Sequence, residues 1–268
     1  MSKVIAGPWV GEFGWELFSW QGHLRYLSNL GNQVTVIIRP GHEFIYSDFM
    51  EDFVYFNPGK VDTNMKSSSQ MQPDKMLELD RLVSAYNSQG YVDIKPADSF
   101  DNSHQIFINY QEIVKPFKSN HIIIHPRSTN KLNTGYRNWS LGNWEELVLL
   151  LHKEILGLKI YNIGTVNDAF DVKGTTDIRG VSLKELAHFM CSAKLCIGPS
   201  SGPMHFASLC GTPHLVWTHK DAIGLYNNRD RYETLWNPLK TKVKVIDNFG
   251  WNPSVELIKN SIVYELGE

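Results

Sequence analysis

The 268-residue sequence lacks several features that would assign it to a function class at once. Its three cysteines show no C-x-x-C spacing and cannot all pair, which argues against a disulfide scaffold and favours buried thiols. No apolar run approaches the ~20 residues of a membrane span, and no basic-then-apolar leader begins the chain. We therefore expect a cytoplasmic protein without stable membrane insertion. The formal net charge of −2 provides no overall attraction to nucleic acid.

Three kinds of familiar site chemistry are also disfavoured by the sequence. The glycines after the first predicted strand are spaced G-x-x-x-G-x-x-G rather than G-x-G-x-x-G, which disfavours a dinucleotide fingerprint. Residues 198–202, Gly198-Pro199-Ser200-Ser201-Gly202, have the G-x-S-x-G spacing at Ser200, but Ser201 lacks the first glycine of such an elbow, and a Ser–His–Asp hydrolase is not expected. The absence of D-x-D and of His or Cys ligand spacing predicts a protein without a bound metal ion.

The sequence instead alternates segments of strand character and helix character. Strands are predicted at residues 3–6, 33–39, 53–56, 106–108, 122–125, 158–163, 193–197, 214–217 and 243–246, and helices at 15–30, 74–87, 141–152, 183–191 and 253–266. The polar residues 62–73 have no periodicity and predict a loop. Such alternation is typical of α/β proteins whose parallel sheets carry helices on both faces.

The apolar pattern is interrupted near residues 110–120, where we place a domain boundary. We predict two Rossmann-like domains, residues 1–116 and 117–268, whose parallel sheets face each other across a cleft. The final helix, 253–266, is expected to pack back on the first domain. One continuous doubly wound sheet is the alternative architecture.

The most informative segment is a turn of small residues after the predicted strand 193–197. Pro203 lies where a first helical residue is expected. Before it, Ser200, Ser201 and Gly202 are candidate caps. A strand, a small-residue turn and a capped helix bring free backbone N–H groups and a positive dipole end to one point, which is typical of a phosphate site. An ordinary strand-to-helix connection is the structural alternative.

The turn after the first predicted strand presents two carboxylates. Glu12 follows Gly11 at the carboxyl end of that strand, where open α/β sheets bind ligands, and bulky aromatic residues flank it. Such surroundings raise the pKa of a carboxyl group and suit a general base. The alternative role of Glu12 is to stabilise a helix dipole from the first turn. Glu16, which follows Gly14 deeper in the helix, has the same alternative and a weaker claim to catalysis.

Two arginines of the second domain are candidate phosphate ligands. Arg127 follows a predicted strand and Arg137 precedes a predicted helix, so both lie in loops at one edge of the predicted sheet. A guanidinium group binds phosphate oxygens in a bidentate manner, so two arginines beside the turn at 200–205 suit a diphosphate. Surface arginines that contact only water and carboxylates are the alternative.

Three motifs in the second half of the chain make it similar to a known family. In chain order they are Arg137-Asn138-Trp139-Ser140 with Trp144 and Leu147, then Ser182-Leu183-Lys184-Glu185-Leu186, then Ser200-Ser201-Gly202-Pro203-Met204-His205-Phe206-Ala207 with Gly211-Thr212-Pro213. In order and spacing, residues 122–220 resemble the carboxyl half of the heptosyltransferase-like glycosyltransferases (family 9, GT-B fold). The turn Gly11-Glu12 also resembles the Gly-Asp turn of that family.

The resemblance implies an inverting, metal-independent sugar transfer from a nucleotide-activated donor, with no other cofactor. It assigns Glu12 as the catalytic base, Arg137 as the cation that binds phosphate, and the turn near Ser201 as the diphosphate site. Joined with the residues singled out above, the predicted donor-binding set is Gly11, Gly14, Arg127, Arg137, Ser200, Ser201, Gly202, Pro203, Met204 and His205.

The sequence departs from the family pattern at three points. Glu12 replaces an Asp, which moves the carboxylate outward by one methylene, and Ser200 stands where the family usually has Asp. The middle of the first domain shows no match, so the acceptor is left open between a glycan, a lipid-linked glycan, a small molecule and a modified nucleic acid. Two rival functions also stay open. One is an NADP-dependent oxidoreductase whose Arg39 meets the 2′-phosphate, and the other is a non-catalytic nucleotide-sugar binding module that does not need Glu12.

Overall fold

The computed structural model describes residues 1–50, 53–59, 71–96, 102–130, 133–221 and 228–267. The chain divides into two compact units, Met1–Phe107 and Ile108–Glu268. The described residues form two parallel sheets, of four strands in the first unit and six in the second. The α/β prediction with two Rossmann-like sheets is therefore confirmed, and these residues do not form one continuous sheet. Most of the loop predicted at 62–73 lies outside the described residues.

The first unit is built on a sheet with strand order β3-β2-β1-β4. Its strands are β1 (Lys3–Ala6), β2 (Gln33–Ile38), β3 (Phe53–Tyr55) and β4 (Tyr91–Ile94), and its helices are α1 (Phe13–Ser19), α2 (Gln21–Asn29) and α3 (Pro73–Asn87). The inner strand β1 ends in a turn that Gly7 begins with a φ of 103°. A Cβ at this position would lie 2.7 Å from the carbonyl oxygen of Ile37, so only glycine fits here. This turn leads to Glu12 at the start of α1.

The second unit is built on a sheet with strand order β10-β9-β8-β5-β6-β7. Its strands are β5 (His121–Ile124), β6 (Lys159–Asn162), β7 (Thr176–Asp177), β8 (Leu195–Pro199), β9 (His214–Trp217) and β10 (Val243–Ile246), and its helices are α4 (Leu141–Glu154), α5 (Leu183–Ser192), α6 (Gly202–Leu209), α7 (Arg229–Thr234) and α8 (Val255–Leu266). Strands β5 and β8 are adjacent at the centre of this sheet. Their carboxyl ends therefore bring the loops that follow them to the same edge.

The core of the second unit contains three buried tryptophans. The ring centroids of Trp139, Trp144 and Trp217 are 5.0–5.5 Å apart, and none of the three side chains is exposed. The apolar face of α4, including Leu147, packs here with Ile258 of α8. The final helix, α8, lies in the second unit and packs on α4.

Two elements of the first unit differ from the predictions. The helix predicted at 15–30 is divided into α1 and α2, because Trp20 leaves the helical conformation with φ −130° and ψ −61°. The strand predicted at 106–108 is wrong. The amide N–H of Ile106 donates to the carbonyl of Gly22 in α2 (2.9 Å), which draws this segment onto the helix rather than onto the sheet. The strand position beside β1 is taken by β4.

All three cysteines are buried free thiols, as their apolar surroundings in the sequence predicted. Within the described ranges, we find no helix that is both long and apolar enough to cross a membrane.

Helix α4 provides a direct test of this core. We expect Leu147→Ala to lower the free energy of unfolding by about 2–5 kcal/mol, because the side chain is completely buried and its removal leaves a cavity. The matched control is Leu149→Ala on the same helix, where the side chain is 54% exposed, and we expect a loss below ~1 kcal/mol. Chemical denaturation measures both variants. Equal losses would contradict the assigned packing face of α4.

Candidate functional site

The turn between β8 and α6 leaves the first turn of a helix open. Ser201 is the N-cap residue of α6, in an extended conformation with φ −163° and ψ 165°, and its side chain does not cap the helix. Its Oγ instead lies 2.9 Å from Nδ1 of His125, the residue that follows β5. Within the described part of the chain, the amide N–H groups of Gly202 and Met204 have no acceptor, and Pro203 has no N–H to place.

Other helices of the same unit close their first turn. The N-cap side chain accepts a hydrogen bond from a backbone N–H three residues later at Ser140, Ser182, Asn228 and Ser254. Such caps satisfy one of the orphan donors at a helix start. Helix α6 therefore keeps unpaired donors and the positive end of its dipole at the carboxyl edge of the sheet, which is an arrangement suited to an anion.

Arg137 brings a positive charge to this turn. Its Nη2 donates to the carbonyl oxygen of Ser200, one residue before the N-cap of α6. Its guanidinium carbon also lies 4.8 Å from the ring centroid of Trp251, in a cation–π contact. We call the guanidinium of Arg137 together with the N–H groups of Gly202 and Met204 the α6 site.

Arg127, the second predicted phosphate ligand, makes contacts within its own loop. Its guanidinium is buried and donates within its own loop, to the carbonyl oxygens of Thr129 (3.2 Å) and Thr134 (2.9 Å) and to the side chain of Asn138. These contacts hold the loop that carries Arg137. The structure thus brings Arg137 to the start of α6 and places Arg127 in support of the loop.

Two histidines near the α6 site are electrically neutral at pH 7. Burial and, to a smaller extent, the neighbouring charges of Arg127 and Arg137 together lower the pKa of His125 to about 3. Burial likewise lowers the pKa of His205 to about 3, with Arg137 and His214 adding to the effect. His205 Nε2 is 3.5 Å from Ser200 Oγ, and its ring packs on Trp236. Both rings can therefore exchange hydrogen bonds but add no positive charge to the site.

Glu12 of the first unit is exposed at the N-cap position of α1. Its carboxylate does not cap the helix, while its backbone carbonyl accepts from the indole N–H of Trp9 (3.1 Å) and from the amide of Glu16 (3.2 Å). Gly11 precedes it and Gly14 lies in the first turn of α1. This backbone framework places the Glu12 side chain at the carboxyl edge of the first sheet.

Glu16 is in a different environment from Glu12 and is 98% buried. Its carboxylate accepts from Tyr46 Oη (2.8 Å) and from Arg39 Nη2 (2.7 Å), and it lies 2.8 Å from His42 Nδ1. Burial alone raises the pKa of Glu16. The charges of His42 and Arg39, with the hydrogen bonds to the carboxylate, outweigh burial and lower that pKa to about 2. Glu16 is therefore an ionised anchor for the segment after β2.

Three contacts that support the α6 site and its loops were not predicted from the sequence. His125 contacts Ser201, Trp251 stacks on Arg137, and Asn138 holds Arg127. The two residues of each pair are 76, 114 and 11 positions apart along the chain, respectively. No local sequence motif can therefore join the first two pairs. No group of three or more His, Cys, Asp or Glu side chains in the described residues is placed to hold a metal ion.

The chain is similar in fold to solved glycosyltransferase structures. A family 9 glycosyl transferase from Veillonella parvula DSM 2008 matches with a TM-score of 0.63 and 13% identity, covering 99% of this chain and 97% of that chain. The E. coli ADP-heptose lps heptosyltransferase II matches with a TM-score of 0.60 and 12% identity, covering 99% and 98%. The E. coli heptosyltransferase WaaC with ADP matches with a TM-score of 0.56 and 12% identity, covering 99% and 100%.

No protein-family model matches the sequence, and no curated protein matches it at a significant level. The TM-scores of 0.56–0.63 establish a shared fold at identities of only 12–13%, so the similarity to heptosyltransferases expected from the motifs is confirmed at the level of the GT-B fold. A shared fold does not determine the activity, which depends on the residues of the site.

The buried carboxylate of Glu16 leads to a prediction about stability and pH. Its pKa falls from an ordinary 4.5 to about 2 on folding, so its ionic contribution is complete above pH 4.5 and is lost as the pH falls toward 2. We expect Glu16→Gln to be less stable than the native chain by about 3 kcal/mol at pH 7, and the difference to shrink by more than half at pH ~3.

Urea denaturation at a series of pH values measures this difference. Glu146→Gln, at an exposed position of α4, is the control and should follow the native chain at every pH. A gap between Glu16→Gln and the native chain that stays constant from pH 7 to pH 3 would contradict the ion-pair assignment.

Proposed function

We propose that the protein is an inverting, metal-independent glycosyltransferase that moves a sugar from a nucleoside-diphosphate donor to an acceptor hydroxyl. The observation that carries this proposal is the α6 site, where unpaired amide N–H groups, a helix dipole and the guanidinium of Arg137 converge. These are the groups that a diphosphate requires. The similarity of fold to heptosyltransferases supports the same assignment.

The proposed reaction is a single displacement at the anomeric carbon of the donor sugar. The acceptor oxygen forms a bond to that carbon, the bond from the carbon to the diphosphate breaks, and the acceptor proton passes to the Glu12 carboxylate. One displacement inverts the configuration at the carbon. Negative charge develops on the leaving diphosphate, where the amides of Gly202 and Met204 and the cation of Arg137 stabilise it.

Stabilisation of the leaving diphosphate and general-base catalysis are expected to contribute unequally to the rate. Preorganised donors that meet developing charge are usually the largest single contribution to catalysis, and here they replace the metal ion that other transferases place on the diphosphate. A positioned general base adds about 10²–10⁴-fold. Glu12 suits the role of base better than Glu16, because Glu12 is exposed whereas the Glu16 carboxylate is enclosed by Arg39, His42 and Tyr46.

The oxidoreductase alternative is disfavoured by the environment of Arg39. In that function Arg39 would receive the 2′-phosphate of NADP, yet its Nη2 donates to Glu16 at 2.7 Å. The ionised Glu16 carboxylate would repel a phosphate at the same guanidinium. We therefore assign the donor to the second unit and the acceptor to the first, with a nucleotide sugar as co-substrate and no other cofactor.

The donor site is tested by binding of nucleoside diphosphates. We expect at least one of ADP, GDP, UDP, CDP and dTDP to raise the melting temperature, because a ligand at 100 times its Kd stabilises the folded state by about 2.7 kcal/mol. Arg137→Met should abolish most of the shift, while Arg81→Met, an exposed arginine of α3, should keep it. A native chain that is stabilised by none of the five would contradict the donor site.

The role of Glu12 is tested separately, with the nucleotide identified by that screen. We expect Glu12→Gln to bind the donor as the native chain does and to reduce the rate of transfer, or of donor hydrolysis in the absence of an acceptor, by about 10²–10⁴-fold. Glu12→Asp should retain a larger rate, since it keeps a carboxylate one methylene shorter. If Glu12→Gln turns over at the native rate, Glu12 is not the base. If neither form turns over the donor with any acceptor, the binding-module alternative is favoured.

A further inference from the structure

The contact between His125 and Ser201 has a consequence for the start of α6. His125 lies at the carboxyl end of the central strand β5 and is 95% buried. Its imidazole fits beside Gly164, whose missing side chain leaves the space: a Cβ there would lie 3.3 Å from His125 Cδ2. On the other side, Nδ1 is 2.9 Å from Ser201 Oγ. The ring is thus held between the loop after β6 and the turn before α6.

Two hydrogen-bond partners, the N–H of Met204 and the imidazole of His125, are available to the Ser201 hydroxyl. As an N-cap serine it would ordinarily accept from the N–H of the third helical residue, which is Met204 in α6. Ser140, Ser182 and Ser254 do so in their own helices. At Ser201 the hydroxyl is turned to His125 instead, and the N–H of Met204 keeps no acceptor among the described residues.

We propose that His125 is a positioning residue that keeps α6 uncapped by holding the Ser201 hydroxyl away from the first turn, so that the Met204 N–H is available to an anion. That this anion is a diphosphate rests on the function proposed above. The imidazole acts through Ser201 and does not itself contact the ligand. Its loss allows the serine to cap its own helix and to compete with the ligand for the same N–H.

The neutral state of His125 suits this role. An uncharged imidazole has one N–H and one acceptor nitrogen, so Nδ1 can share a hydrogen bond with a hydroxyl in either direction. Asparagine is a conservative replacement, because its amide also presents both a donor and an acceptor at about the position of Nδ1.

Amide hydrogen exchange in the native chain, without ligand, tests the proposal directly. We expect exchange at Met204 to slow by about fivefold in His125→Ala, the protection that a serine N-cap provides. In His125→Ala with Ser201→Ala, exchange should return to the native rate, because no hydroxyl remains to form a cap. His125→Asn should stay at the native rate. Ser140→Ala is the control for the method, and it should speed exchange at Asn143, whose N–H that serine now caps.

A general loss of structure in His125→Ala is distinguishable from the proposed effect. Loss of structure speeds exchange, and it would not be reversed by a second substitution, whereas capping slows exchange and Ser201→Ala reverses it. An unchanged or faster rate at Met204 in His125→Ala would overturn the proposal, as would slow exchange that persists in the double variant.

Calorimetric titration with inorganic pyrophosphate tests the consequence for the ligand. We expect Kd to rise about fivefold in His125→Ala, in proportion to the protection that the cap gives Met204, and to fall again when Ser201→Ala is added. A Kd in His125→Ala equal to that of the native chain would overturn the role of His125 toward the ligand. If the native chain binds neither pyrophosphate nor any nucleoside diphosphate, the proposed function fails. The exchange experiment still tests whether His125 keeps the Ser201 hydroxyl from capping α6.

Discussion

The functional account depends on the backbone N–H groups at the start of α6, which have no acceptor among the residues that the structure describes. A helix start leaves N–H groups without partners, and most helices satisfy some of them with a side chain of their own. In α6 that side chain is committed to His125 of the neighbouring strand connection, and Arg137 stands beside the turn on the face of Trp251. The result is a concentration of positive potential at the start of α6.

The two acidic residues at the start of α1, Glu12 and Glu16, have different roles because only Glu16 is buried. Glu12 and Glu16 are one helical turn apart, so both are near the carboxyl edge of the first sheet. Glu16 faces inward, where a cation, an imidazole and a phenol fix it as an ionised group. Glu12 is exposed. The buried residue stabilises the segment after β2, and the exposed one is the group we assign to the reaction.

Much of this arrangement is visible in the sequence, and the exceptions have physical causes. Buried parallel strands are continuous apolar runs, so β5, β8 and β9 could be predicted, as could the small-residue turn before α6. Strand β4 was missed because it is not a continuous buried apolar run: it contains Asp93 and the exposed Val92. An arginine that binds a ligand and one that holds its own loop look alike in a sequence. Only the positions of Thr134 and Asn138 show that Arg127 donates to its own loop.

A crystal structure of the protein with a bound nucleoside diphosphate tests the central claim most directly. The account predicts phosphate oxygens within hydrogen-bond distance of the N–H groups of Gly202 and Met204, with the guanidinium of Arg137 on the same diphosphate. A nucleotide whose phosphates lie instead on the turn after β1, near Arg39, would contradict it. So would a bound state in which the Ser201 hydroxyl caps Met204 and the phosphates contact neither amide.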